Sequence, residues 1–79
     1  MSKLQVGDIV CMKDRPPYGY MVVRERLGKR NGREVVKVIH DSSSLKFDFG
    51  LIKEFYASQL QIDKRPECIA YRVVKEKEA

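Results

Sequence analysis

An Asn-Gly pair between two strand-like runs constrains this chain more than any other feature. In the stretch from Tyr20 to His40, YMVVRERLGKRNGREVVKVIH, it marks a two-residue hairpin turn. A type I′ turn needs positive φ at both central residues, and Asn and Gly tolerate that best. With Asn31 and Gly32 at the turn, Leu27 faces Val36, Glu25 faces Val38 and Val23 faces His40 on one side. Arg26 faces Lys37 and Arg24 faces Ile39 on the other, with Arg30 and Arg33 closing that row. Because side chains alternate across a strand, the hairpin is expected to have a mostly apolar face and a cationic face. Glu25 interrupts the apolar one, which points to a bulge or a longer loop there.

The charge is concentrated on the same hairpin. Residues 24–37 hold six cations against Glu25 and Glu34, a net +4 out of +5 for the whole chain. A localised excess makes a directed field. Two readings compete: a solvated strand edge whose charges discourage edge-to-edge pairing, and a binding surface made of Arg24, Arg26, Arg30, Arg33 and Lys37.

The remaining segments are short. Seventy-nine residues make one domain, 43% hydrophobic and therefore able to build a core. Ile9–Lys13 reads as a buried strand bounded by Gly7 and Asp14. Asp14–Gly19 is a loop, since Pro16 and Pro17 fix φ and remove donors. Asp41–Ser44 reads as a turn whose side chains bond their own backbone. Leu45, Phe47, Phe49 and Leu51 alternate with Lys46, Asp48 and Gly50, as in a half-buried strand. Ile52–Tyr56 fits either more strand or one helical turn. Ala57–Gln59 is read as a tight turn and Leu60–Ile62 as a short strand. Ile69, Tyr71 and Val73 alternate with Ala70, Arg72 and Val74, giving an expected extra strand over 68–74 before a frayed charged tail, 75–79. The whole is an expected all-β domain of five or six short antiparallel strands.

Val6-Gly7-Asp8-Ile9-Val10 opening a strand, a long loop, a central hairpin, and then Phe55–Ile62 together resemble the SH3-like small barrel. The likeness is strongest to its Tudor and KOW branches and covers about residues 5–62. The first strand of those barrels often begins Gly-Asp-x-Val, and their last short strand follows a one-turn helix. In them the first long loop commonly lines the ligand groove. The resemblance thus implies that Arg15 and Tyr18 lie near a binding surface. Tyr20 either joins them or enters the core as the first residue of its strand. An aromatic cage for methylated side chains is not expected, because Phe47 and Phe49 are assigned to the core.

Catalysis is not expected. His40 is the only histidine, and no third group to orient a Cys or Ser nucleophile is evident. Asp48-Phe49-Gly50 spells a kinase triplet without any other kinase motif. The glycines are dispersed, so no phosphate loop is present. Cys11 and Cys68 lack zinc spacing, and without a secretory leader they are read as reduced thiols in a cytoplasmic protein. No apolar run approaches the ~18 residues of a membrane span. No cofactor, metal or small-molecule substrate is expected. Two functions stay open: a module that binds DNA or RNA without base-specific readout, and an adapter for an acidic protein partner. The adapter would use the basic face or the C-terminal strand.

Overall fold

Asn31 and Gly32 turn the chain as the sequence requires, at φ 55° and 75°. In the computed structural model, which describes residues 3–47 and 50–78 with side chains through residue 75, this turn joins the two longest strands. The strands are β1 (Ile9–Met12), β2 (Tyr20–Arg30), β3 (Arg33–Asp41), β4 (Leu51–Tyr56) and β5 (Leu60–Ile62). A 3₁₀ turn, Ala57–Gln59, separates β4 from β5, and one helix, α1 (Pro66–Glu78), ends the chain. The strands form one antiparallel open sheet in the order β4-β3-β2-β1-β5. The chain is mostly β, as expected.

The hairpin register departs from a simple ladder in two places. Arg30 faces Arg33 and Gly28 faces Val35, but Leu27 is then extra, so that Arg26 faces Val36 and Glu25 faces Lys37. Arg24 is extra in turn, and Val23 faces Val38. These are β-bulges, which increase twist and bend the bulged strand. One consequence is that Arg26 and Lys37, expected side by side, lie on opposite faces.

Each face of the sheet has its own core. On one, Val10, Met21, Val23, Val36, Val38 and Leu60 are buried together, and Phe55 packs against them. Phe55 and Leu60 belong to the two edge strands, so the sheet curls over this cluster. On the other, Ile9, Phe47 and Cys68 are buried, with Tyr20, Val22 and Tyr71 against them. Tyr20 is therefore half-buried core, and Phe47 meets Tyr71 edge-on at 6.3 Å.

Two expected strands are absent. Residues 68–74 are helical. Pro66 sits at the first helical position, where its missing N–H costs nothing, and Cys68, Tyr71 and Arg72 supply an i, i+3, i+4 face toward the sheet. The expected tail from Lys75 to Glu78 is the last turn of this helix. Residues 45–47 are not a strand either, since Phe47 takes φ 57° and its ring covers the outer core. Strand pairing resumes only at Leu51, and Asp48 and Phe49 lie outside the described residues. Asp41 does build the expected turn: its carboxylate accepts from the Ser43 and Ser44 amides at 2.8 and 3.1 Å. These bonds, led by the Ser43 amide, hold Asp41 below its ordinary pKa.

Candidate functional site

The two prolines stiffen the Asp14–Gly19 loop, and both ends of its last turn are tied down. His40 Nε2 donates to the Tyr18 carbonyl at 2.9 Å. Gly19 takes φ 65°, and a Cβ there would stand 2.7 Å from the Ser42 Cα and 2.8 Å from the Asp41 carbonyl oxygen. Only glycine lets the loop lie this close to the end of β3.

From the other face, Arg65 donates to the Gly19 carbonyl through Nη2. Its guanidinium also lies 4.4 Å from the centre of the Tyr20 ring. Arg65 is held by Asp63, which is 3% exposed, through contacts of 2.7 to 3.1 Å from Nε and Nη2. The Asp63 carboxylate further accepts the Arg65 amide at 3.0 Å. Burial alone would raise the Asp63 pKa, but the hydrogen bonds and charge of Arg65 outweigh it and hold the group below 3.8. Beside this pair, burial, joined by the Asp63 charge, pushes the Cys68 thiol up to about 11. Cys11 and Cys68 are both free and buried.

So held, the loop forms one wall of an open groove of about 190 Å³. Val10, Met12, Met21 and Phe55 give it an apolar lining. Tyr18, 77% exposed, stands at the mouth with its ring 6.1 Å from that of His40 and tilted 36° to it. Arg15 and Lys53 supply cations, and no carboxylate lines the groove. Lys53 comes from β4, opposite Val38, and has no acidic partner among the described residues. Arg15 lies 3.5 Å from Asp14, with both side chains about two-thirds exposed, a contact that solvent screens heavily. Such a groove can accept a flat apolar group with an anion at its rim.

The structure thus brings together two of the residues singled out from sequence, Arg15 and Tyr18, and adds His40 and Lys53. It does not gather the hairpin cations into one face. Arg26 pairs with Glu34 at 2.8 Å, Lys37 with Glu25 at 3.3 Å and Arg30 with Glu54 at 3.1 Å. Arg33 lies over the Tyr56 ring at 5.6 Å. Arg24 and Lys29 are exposed and have no acidic partner among the described residues. Three of the five cations expected to form the row are therefore held by carboxylates. Lys53 was legible only through the alternation Leu51, Lys53, Phe55 in a strand whose start the sequence did not mark.

Among the described residues no group of His, Cys, Asp and Glu could hold a metal ion, and no helix is long and apolar enough to cross a membrane. Compared with models of known families, with curated proteins and with solved structures, the chain matches none.

Proposed function

We propose that this chain is a non-catalytic nucleic-acid-binding module built on an SH3-like small barrel. The barrel reading is supported by the meander order of the strands, the shared packing of the two edge strands, and the 3₁₀ turn before β5. The binding reading rests on one observation: the groove beneath the first loop combines cations and aromatic rings with no carboxylate. Phosphates supply the matching anions, and contacts of this kind carry no base-specific readout. Arg15 and Lys53 act at the groove, and Arg24 and Lys29, exposed and without an acidic partner among the described residues, are the hairpin cations left to meet further phosphates. The ion-paired Arg26, Arg30 and Lys37 contribute less, because a phosphate must compete with a carboxylate already in place.

Binding to mixed-sequence DNA and RNA over a range of salt tests this. With about four phosphates contacted, log affinity falls against log salt with a slope of roughly −3 to −4 on duplex. If neither nucleic acid binds at ~150 mM salt, where exposed charges are screened beyond ~8 Å, the reading is wrong.

A second reading, a protein-interaction module, is favoured by helix α1. Its sheet-facing side carries Cys68, Tyr71 and Arg72, while Ile69, Val73 and Val74 are 45–53% exposed on the opposite side. An apolar face turned to solvent is a common mark of protein docking. Loss of a partner on Ile69→Lys, with nucleic-acid affinity unchanged, would establish that second use.

A further inference from the structure

From the groove's shape and lining we infer its ligand class: one unpaired base of a single strand, stacked at Tyr18, with flanking phosphates on Arg15 and Lys53. The inference rests on the nucleic-acid reading and narrows it. The groove's space of about 190 Å³ is close to the ~150 Å³ of an apolar cavity that takes up a benzene ring, the size of one flat heterocycle rather than of a stacked base pair. The apolar lining from Met12, Met21 and Phe55 rewards burial of a flat ring.

At the mouth, the Tyr18 ring is exposed on a loop pinned from both sides, by His40 on one and by Arg65 on the other. With the backbone on either side of the ring held in this way, only the side chain remains to be ordered on stacking, which lowers the conformational entropy lost compared with a free loop. The cations flank this apolar lining, as the phosphates of a nucleotide flank its base. An acidic peptide would satisfy Arg15 and Lys53 yet leave the apolar lining without a planar partner. In a duplex the base faces are already covered by their neighbours, so only a single strand can use Tyr18.

The test uses the full chain with fluorescently labelled oligo-dT, a duplex of matched phosphate number and poly-glutamate, each titrated against wild type, Tyr18→Ala and Lys53→Gln. The single strand is expected to bind about tenfold tighter than the duplex. Tyr18→Ala should remove most of that preference while leaving duplex affinity within twofold, in the range observed for losing one stacked base. Lys53→Gln should weaken both. Circular dichroism confirms that the variants fold, as expected for two exposed positions. Equal losses on strand and duplex with Tyr18→Ala, or none, overturn the unpaired-base assignment while phosphate binding stands. Binding to neither nucleic acid removes the broader reading as well. Preference for poly-glutamate overturns both in favour of an acidic protein ligand.

Discussion

Asp63 is nearly inaccessible to solvent, and its charge is compensated chiefly by a single cation, Arg65, whose side chain is 26% exposed. Removing one partner of a fully buried ion pair costs ~3–5 kcal/mol; with Arg65 partly solvated, about 2 kcal/mol is expected for Asp63→Asn. The pH dependence has a definite sign. The folded pKa lies below the unfolded value, so the contribution is complete above about pH 4 and is lost as pH falls through the folded pKa. Chemical denaturation at pH 7 and pH 3 should show Asp63→Asn far below wild type at the first and closer to it at the second. A gap of the same size at both would contradict the ionised pair. Asp63→Asn should itself keep part of the acid sensitivity of wild type, because Asp41 is lowered too. None of this was legible in the sequence. Asp63-Lys64-Arg65-Pro66 reads as a polar break, and nothing local shows that a carboxylate in it is taken out of water by a helix folding back over the sheet.

At the scale of elements, the hairpin turn was the most legible part of the fold and the C-terminal segment the least. The turn is fixed by two residues in the left-handed region. There alanine costs about 1–2 kcal/mol per L-residue, so Asn31→Ala with Gly32→Ala should lower stability by about 2 kcal/mol in urea titration. Unchanged stability would mean that the chain reverses elsewhere. The segment 68–74 satisfies a two-residue alternation and a helical pattern at once, an ambiguity inherent in short apolar runs. Helix won because its inward face needs only Cys68, Tyr71 and the stem of Arg72. The more hydrophobic Ile69, Val73 and Val74 are left outside, the reverse of an ordinary amphipathic helix. Ile69→Lys and Val73→Lys should therefore change stability by no more than about 0.5 kcal/mol each. Tyr71→Ala, which empties the edge-on contact with Phe47, should cost about 3 kcal/mol, toward the low end for aromatic truncation because the ring is only partly buried. A larger loss for the lysine variants would show that the outer face is covered in the isolated chain.

Across the whole molecule, the net charge of the hairpin does not tell which of its cations are free, because carboxylates from β3, β4 and β2 itself hold Arg26, Arg30 and Lys37. It was the resemblance to SH3-like barrels, whose first long loop commonly lines the ligand groove, that marked Arg15 and Tyr18. The groove itself depends on the sheet curling, which brings β4 across from the first loop, and no local pattern encodes that. The proposed interface therefore divides its charges into those with an internal partner and those without. Arg24→Ala and Lys53→Ala should each reduce the salt slope of nucleic-acid binding by about 1. Replacing Arg26 and Glu34 together by alanine should leave it unchanged. Equal slopes across all three variants would mean that phosphates engage the chain somewhere other than these side chains.

The two surplus residues of β2 also bear on how this domain can vary in length. Deleting a residue from a paired strand ordinarily turns every side chain beyond it to the wrong face. Arg24 and Leu27 are outside the ladder, so removing either leaves each of the pairings Val23–Val38, Glu25–Lys37, Arg26–Val36 and Gly28–Val35 in place. What changes is the bend. The tip now reaches β4, where Arg30 meets Glu54 and Asn31 Nδ2 donates to the Tyr56 hydroxyl at 3.4 Å, and a straighter hairpin would swing away from both. A chain lacking Leu27 should still fold, with protected β2–β3 amides in hydrogen exchange but faster exchange at the tip. A chain lacking Val36, which faces Arg26 inside the ladder, should not fold. Relatives of this domain that differ by one residue in β2 are therefore to be aligned with the gap at a bulge, and the angle of the hairpin read from its position.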